Sequence, residues 1–189
     1  METSIEAVGS TRAKRTVEIK PFADGRVVNV DFKAGDSVEP GQVLLRLDDE
    51  IERADLVEAE ARLKDALSAL KRAETLRKSN TVAEATVDTL VANVAIAQAD
   101  RDRAIRRLQD RTIKAPFAGV VGYSNVELGA QVESGDTITV LDDLSVIEVE
   151  FFLSEGLFGR IAPGQKVLAN AAAFPGRDFE AEILSIDSR

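Results

Sequence analysis

The side chains that most often carry out chemistry are scarce in this sequence. It contains no cysteine and no histidine, and its single methionine is Met1. These absences exclude thiolate nucleophiles, disulfides, histidine general bases and most transition-metal sites. The remaining candidates are two pairs of adjacent carboxylates, Asp48 with Asp49 and Asp142 with Asp143. We interpret these pairs as strand ends, and Asp49 also as a helix cap, so we expect no enzyme, no cofactor and no bound metal.

The composition is that of a folded protein with no affinity for nucleic acid. The 189 residues are 44% hydrophobic, which is enough for one large core or two small ones. With 24 basic and 33 acidic residues the formal charge is −9, which opposes binding to phosphate backbones. No apolar run approaches the roughly 18 to 20 residues that span a bilayer, and the N-terminus lacks the pattern of a signal sequence. We therefore expect no nucleic-acid partner and no membrane span in this chain.

An internal repeat links two distant parts of the chain. Residues 19–49 match residues 113–143 at a constant offset of 94 without a gap, with 11 identities in 31 positions. The identical pairs are Ile19/Ile113, Lys20/Lys114, Gly25/Gly119, Val27/Val121, Gly35/Gly129, Val38/Val132, Glu39/Glu133, Gly41/Gly135, Leu47/Leu141, Asp48/Asp142 and Asp49/Asp143. Glycine at matched turn positions indicates that both copies need a positive φ or a close backbone approach.

Each copy has the pattern of short strands separated by turns. The first copy has apolar residues around 27–30, a turn at 34–36 and a second apolar run at 43–47, and the second copy repeats this order. A segment of about 30 residues is too short to bury its apolar face alone, so we expect the two copies to face each other in one small sandwich. The alternative is two independent β-hairpins with similar turns.

The segment between the copies has a helical pattern. Residues 49–110 contain neither proline nor glycine, and apolar residues recur in two series at alternating steps of three and four. The series, which we call the seam, are Leu56, Ala59, Leu63, Ala66, Leu70 and Ala73, followed by Leu90, Val94, Ala97, Arg101, Ala104 and Leu108. Arg101 is the one charged interruption in these series. Two such series indicate a coiled coil, and alanine in alternate layers lets the helices approach closely.

Both helical arms begin with the spacing of a capping box. The two boxes are Asp49 with Glu52, and Thr81 with Glu84. They predict helices that start near Glu50 and near Val82. Residues 78–81 allow only a tight reversal, so the arms must be antiparallel neighbours.

Charge supports this pairing of the arms. Acidic residues crowd the start of the first arm and arginines crowd the end of the second, where the helix dipoles favour them. The two clusters are Glu50, Glu52, Asp55, Glu58 and Glu60, and Arg101, Arg103, Arg106 and Arg107. In an antiparallel hairpin these clusters lie side by side. At about 1.5 Å per residue, an arm of roughly 28 residues is about 40 Å long.

Four segments around the hairpin carry a resemblance to a known family. They are Gly25-Arg-Val-Val, Lys33-Ala-Gly-Asp-Ser-Val-Glu-Pro-Gly-Gln, Leu47-Asp and Ile113-Lys-Ala-Pro-Phe-Ala-Gly-Val-Val-Gly. Together with the hairpin they resemble the membrane fusion proteins, also called periplasmic adaptors. The resemblance implies a mixed α and β fold: a split lipoyl-like β-sandwich with an inserted antiparallel α-helical coiled-coil hairpin, plus a partial β-barrel domain.

The resemblance also divides the chain into domains. Residues from 144 onward have the alternating pattern of strands separated by turns, and they resemble the first strands of the adaptor β-barrel. The sequence ends before such a barrel could close. We expect from this that the chain is part of a longer protein. The implied domains are 1–16 for an N-terminal strand of the barrel region, 17–48 and 111–143 for the lipoyl-like halves, 49–110 for the hairpin and 144–189 for the partial barrel.

The resemblance implies a set of partners and a contact site. Members of the family link an inner-membrane transporter to an outer-membrane channel in the periplasm, and they self-associate as trimers or hexamers in the assembled pump. Membrane attachment would come from segments outside this chain. At the hairpin tip, adaptors of resistance-nodulation-division pumps often carry an arginine, a leucine four residues later and a serine seven after that. Arg72 and Leu76 match, whereas Ala83 replaces the serine. We predict Arg72, Leu76 and Ala83 as the channel-contacting tip.

Three other functions remain open from the sequence. A lipoyl or biotinyl carrier would present a modified lysine where the hairpin is inserted, and Leu47-Asp-Asp offers none. An adaptor of a type I secretion system or an ABC-type exporter belongs to the same family but tends to have a longer hairpin. A metal-efflux adaptor that binds its own ion would lack soft ligands in this part of the protein.

Overall fold

The computed structural model describes residues 6–78 and 82–187. They form two compact units, one of residues 13–147 and one that combines the residues up to 12 with those from 148 onward. The elements are β1 (Gly9–Ile19), β2 (Gly25–Val30), β3 (Ser37–Val38), β4 (Val43–Leu47), α1 (Glu50–Arg77), α2 (Glu84–Gln109), β5 (Thr112–Lys114), β6 (Gly119–Val121), β7 (Gln131–Val132), β8 (Thr139–Phe151), a 3-10 helix (Glu155–Arg160), β9 (Lys166–Asn170) and β10 (Asp178–Glu182).

Two four-stranded sheets form the sandwich, in the orders β5-β4-β2-β7 and β1-β8-β6-β3. The repeat offset of 94 residues relates β5 to β1, β4 to β8, β2 to β6 and β7 to β3. The two sheets therefore have the same order, and the sequence repeat is also a structural repeat. In each sheet the two inner strands come from one copy and the two edge strands from the other. The predicted sandwich is confirmed, but the copies exchange edge strands instead of facing each other as separate layers.

Equivalent backbone hydrogen bonds hold the exchanged strands in place. The Gly35 N–H donates to the carbonyl of Val121, and the Gly129 N–H donates to the carbonyl of Val27, each over 2.8 Å. The two glycines have φ of +88° and +87°, a region that a side chain disfavours. The matched glycines are thus explained by the turn that carries each short edge strand to the opposite sheet.

The core of the sandwich draws on both copies. Its buried members are Ile19, Val27, Phe32, Val38, Leu44, Leu45, Leu47, Ile113, Ala115, Val121, Val132, Ile138 and Leu141. The matched residues Leu47 and Leu141 are almost completely shielded from solvent. Since this single cluster combines residues of both copies, neither copy can form the core alone.

The helical hairpin follows the predicted seam. Each seam residue on α1 and α2 is buried or half-buried, and the alanines Ala59, Ala73, Ala97 and Ala104 are the most shielded. Val87 extends the seam by one further position toward the start of α2. Arg101 is half-buried and pairs with its neighbour Asp102 at 3.2 Å. The small alanine side chains of the seam allow the two helices to approach closely.

The helix ends differ from the capping-box prediction. α1 begins at Glu50 as predicted, but the Asp49 side chain makes no capping hydrogen bond and instead accepts two hydrogen bonds from Arg53 at 2.7 and 2.8 Å. An arginine one turn away competes successfully with the backbone because the bidentate pair is charge-assisted. α2 begins at Glu84, two residues after the predicted Val82. Thr81, the predicted cap, lies outside the described residues.

The two charge clusters meet only in part. Across the base of the hairpin, Arg107 Nη2 lies 3.3 Å from Asp55 Oδ2. By contrast, Arg103 pairs with Asp100 within α2, and Glu58 pairs with Arg62 within α1. Exposed pairs of this kind contribute little to stability, so the apolar seam carries most of the association.

The smaller unit contains a two-stranded antiparallel sheet of β9 and β10. Phe179 on β10 contacts Phe174 edge to face with ring centroids 6.0 Å apart, and the Arg177 guanidinium lies 5.0 Å from the Phe179 centroid. These contacts order the turn between the two strands. The assignment of residues 144–189 to a β-barrel stays a prediction.

The second carboxylate pair lies inside β8, so its prediction as a strand end was wrong. Asp143 Oδ1 accepts a hydrogen bond from Ser145 Oγ at 2.6 Å, and Oδ2 accepts one from Arg15 Nη2 at 2.8 Å. The Arg15 guanidinium also lies 4.5 Å from the centroid of Phe117. The hydrogen bonds from Ser145 and then Arg15 lower the pKa of Asp143 to about 2. These contacts tie β8 to β1 through side chains.

Replacing Asp143 by asparagine should remove a stabilisation that depends on pH. Because the folded-state pKa is about 2 and that of an unfolded aspartate is about 3.9, the ionised group stabilises the fold above about pH 4 and loses this effect as the pH falls toward 2. The melting temperature of the wild type minus that of Asp143→Asn should be constant near neutral pH and shrink below about pH 4. Ser145→Ala should show a weaker form of the same trend. A difference independent of pH would contradict this assignment.

Candidate functional site

The outer end of the hairpin remains packed up to the last turn of each helix. α1 ends at Arg77 and α2 begins at Glu84, and Arg77 Nη2 lies 3.1 Å from Glu84 Oε1. Ala73 and Val87 are the buried residues nearest to these ends. The seam therefore holds the helix ends together, and the side chains around this last layer form the surface of the tip.

The structure places the three predicted site residues at this end of the hairpin. Arg72 and Leu76 lie one turn apart on α1, outside the seam, and both are exposed. The Leu76 side chain retains 46% of its exposure. Ala83 immediately precedes α2 with extended backbone and is also exposed. Their role as contacts for a channel stays a prediction.

The last two turns of α1 are mostly basic. Three cations and one carboxylate occupy them, namely Lys71, Arg72, Arg77 and Glu74, and Lys78 follows directly after the helix. Cations are favourable at the C-terminus of a helix, so the charge fits the local dipole. Arginine is enriched in protein–protein contacts whereas lysine is depleted there, so the arginines near the exposed Leu76 are the side chains of this end best suited to such a contact.

Two exposed apolar side chains on α2 were not predicted. Val91 and Ile96 on α2 are both exposed, at 50% and 61%. The signal for them is a run of 11 residues, 89–99, that carries no charge. A helix segment that is apolar on more than one face usually packs on more than one side. The two-arm seam accounts for only one of those sides.

The described residues contain neither a metal cluster nor a membrane helix. Within 6–78 and 82–187, no group of three or more His, Cys, Asp or Glu side chains is arranged to hold a metal ion. None of the helices in those ranges combines the length and the hydropathy needed to cross a membrane. At the connection after β4, where a carrier would present its lysine, Asp48 pairs with Arg26 at 2.9 Å and Asp49 with Arg53.

A family model decides the relationship of this chain to known proteins. The model of the barrel-sandwich hybrid domain of RND membrane fusion proteins matches residues 15–143. The chain belongs to this family. The matched range covers nearly all of the larger unit, so it includes both sheets of the sandwich and the hairpin inserted between the copies. The fold expected of a membrane fusion protein, mixed α and β with a split sandwich and an inserted hairpin, is thereby confirmed.

Relatives of this membrane fusion protein include efflux proteins. The multidrug resistance protein MdtA of Klebsiella pneumoniae is 30% identical over 178 residues, which are 86% of this chain and 43% of MdtA. The probable efflux pump periplasmic linker protein SepA of Pseudomonas putida is 33% identical over 143 residues, covering 73% of this chain and 37% of SepA. The chain thus spans less than half the length of these two curated relatives.

A solved structure matches almost the whole chain. It is a MacA-MexA chimeric protein that contains the α-hairpin domain of Pseudomonas aeruginosa MexA, with a TM-score of 0.87 and 25% sequence identity. The match covers 96% of this chain and 66% of the chimera. The sandwich and its hairpin are therefore similar in arrangement to the corresponding parts of this chimera.

Proposed function

We propose that this membrane fusion protein is the periplasmic adaptor of a tripartite efflux pump, bridging an inner-membrane resistance-nodulation-division transporter to an outer-membrane channel. The observation that carries the proposal is the family match over residues 15–143, which covers the sandwich together with its hairpin. The efflux proteins among the relatives support the same conclusion. Transport energy comes from the transporter, and the adaptor performs no chemistry.

In this role the hairpin acts as a spacer. Its longer helix has 28 residues, about 42 Å at 1.5 Å per residue. The sandwich packs sideways against other copies of the protein, and the hairpins bundle into a sleeve that meets the channel end-on. The exposed side chains of Val91 and Ile96 on α2 are available for contacts between neighbouring hairpins.

The tip supplies the contact to the channel. Arg72 and Leu76 provide a cation and an apolar side chain on one face, and Ala83 follows the reversal at the start of α2. Alanine at position 83 offers no hydroxyl, so recognition here depends on shape and on the arginine more than on a hydrogen bond from serine. Outside the matched domain, we assign residues 1–16 and 144–189 to the adaptor β-barrel.

A secretion-system adaptor is the second candidate within the family. Its hairpin tends to be longer than the 28 and 26 residues of α1 and α2. A lipoyl or biotinyl carrier is disfavoured because the connection after β4 has no lysine. A carrier is distinguished from an adaptor by the intact mass of the protein made in cells that contain the lipoyl or biotin ligase. An added lipoyl or biotinyl group would contradict the adaptor role.

Deletion of the gene tests the proposed function. We expect the deletion strain to become more susceptible to drugs, detergents or organic solvents, and the intact protein to restore resistance. Purification of the intact protein after crosslinking in cells should recover a resistance-nodulation-division transporter and an outer-membrane channel. An unchanged susceptibility panel, together with recovery of an ABC-type exporter, would contradict the proposal and favour the second candidate.

A further inference from the structure

The hairpin joins the sandwich through two short connections. Asp48 and Asp49 separate β4 from α1, and Asp110 and Arg111 separate α2 from β5. On such connections the hairpin is a lever: with an arm of about 42 Å, a swing of ~10° at the base moves the tip by about 7 Å. A fixed tip position therefore requires an interaction that fixes the angle at the base.

Arg111 reaches across this base. Its Nη2 donates a hydrogen bond to Glu52 Oε1 in the first turn of α1, and its Nη1 donates to the backbone carbonyl of Asp24 between β1 and β2. Its own carbonyl accepts the N–H of Leu47 at 2.8 Å. Asp24 Oδ1 in turn accepts the N–H of Ser134 at 2.6 Å. The Arg111 side chain thus connects the first helix of the hairpin to the first copy of the repeat, and the Asp24 side chain links that point to the second copy.

Burial makes this contact different from the surface pairs nearby. The side chains of Arg111 and Glu52 are 20% and 10% exposed, whereas Arg53, in the same turn of α1, is 64% exposed. Exposed pairs contribute little, but a shielded charge-assisted pair is strong and directional. Arg111 Nε is buried and finds no acceptor in the described part of the chain. The guanidinium is therefore held by the hydrogen bonds of Nη1 and Nη2, without one from Nε.

The neighbouring glycine leaves space for this arginine. A Cβ at Gly25 would lie 2.8 Å from Arg111 Nη1. At the matched position of the second copy, a Cβ on Gly119 would instead meet the backbone carbonyl of Asp142. The two glycines therefore face different neighbours, the end of an arginine side chain at Gly25 and the backbone at Gly119, and only the first leaves space for a side chain from the hairpin base.

We propose that Arg111 is the positioning residue that fixes the angle of the hairpin on the sandwich, acting through Glu52 and the carbonyl of Asp24. Its side chain joins the connection between α2 and β5 to the first turn of α1, so the two helices are linked where they meet the sandwich. This role concerns the orientation of the hairpin alone, so it is independent of whether the tip docks on a channel.

Distance measurements between spin labels test the proposal. The chain contains no cysteine, so Val28→Cys on β2 and Asp88→Cys on α2 provide two unique labelling sites. Both positions are exposed. In the labelled chain, double electron–electron resonance should give one narrow distance distribution. In Arg111→Met we expect the distribution to broaden at least about twofold, because the helix amplifies loosening at its base.

Two further variants separate positioning from folding. Loss of one partner of a buried pair is strongly destabilising, whereas replacement of both by apolar side chains is often neutral. Glu52→Met with Arg111→Met should therefore fold and still give the broad distribution. Arg111→Lys retains the charge beside Glu52 but lacks the planar fork, so it should fold and also broaden the distribution. Arg53→Met is the control, and its distance distribution should stay as narrow as that of the wild type. A wild-type distribution in the double variant and in Arg111→Lys would overturn the proposal, as would equal broadening in Arg53→Met.

Discussion

Replacing Leu47 or Leu141 by alanine should remove about 2–5 kcal/mol from the free energy of unfolding. Both side chains are essentially inaccessible, at 1% and 0% exposure, and they occupy matched positions of the two copies. Truncation leaves a cavity in a close-packed core as well as losing buried apolar surface. Denaturant unfolding followed by circular dichroism measures the effect. For a domain of marginal stability this is a large share of the total.

The matched positions make this experiment informative about the strand exchange. Because each sheet contains strands of both copies, the sandwich should unfold in one cooperative transition, and a cavity in either copy should lower the free energy of that transition. Leu128→Ala, at a residue 71% exposed in the same unit, is the control and should change the free energy by less than about 0.5 kcal/mol. If Leu141→Ala left the amide protons of β2 and β4 protected while those of β6 and β8 exchanged, the interleaved sandwich would be wrong.

Replacing Leu76 by aspartate in the intact protein should abolish resistance to nearly the level of the gene deletion. The change puts a carboxylate where an apolar side chain would be covered by the channel, and burying an unpaired charge is costly. We expect a loss of about 2 kcal/mol or more of binding free energy, about 30-fold weaker docking. Drug susceptibility of the complemented deletion strain measures the effect, and immunoblotting verifies equal protein levels.

Leu67→Asp is the matched control for this variant. Leu67 lies on the same helix with similar exposure, 49% against 46%, and is nine residues closer to the sandwich. It should retain resistance, since the position is about 14 Å below the tip residue. Full resistance in Leu76→Asp would refute the tip assignment, and equal loss in Leu67→Asp would show that any charge on this helix disturbs the pump.

The sequence predicted those parts of the fold whose pattern is local. The spacing of Leu56 to Ala73 locates the helix seam because helical periodicity depends only on neighbours within a few turns. Matched glycines such as Gly35 and Gly129 predict equivalent turns, because few other residues tolerate their φ. The repeat itself predicted that two halves, each too short to bury its apolar face alone, share one sandwich.

Other features depend on partners far away in the chain. The repeat identifies equivalent strands but not the sheet that each one joins, so the strand exchange was not predicted. The partner of Asp143 is Arg15, which lies 128 residues away. Arg111 was not recognised as a link between the hairpin and the sandwich, because its two acceptors lie 59 and 87 residues away. Their proximity follows from the complete topology and not from any short pattern.

The tip residues show a different limit. Arg72 and Leu76 were selected through the family resemblance, and their exposure on α1 is compatible with that role. Exposure alone does not identify a partner, because Val57 and Ile96 are exposed as well. What distinguishes the tip is its place at the end of a rigid arm, which only a measurement of contact in the assembled system tests.

Photo-crosslinking in living cells tests the adaptor function most directly. A photoreactive amino acid would replace Arg72 at the tip or Val57 near the base of α1, both exposed on the same helix, in the intact protein. We expect the outer-membrane channel to be captured from position 72 and not from position 57. Capture of the channel from neither position, or equally from both, would contradict end-on docking of the hairpin tip.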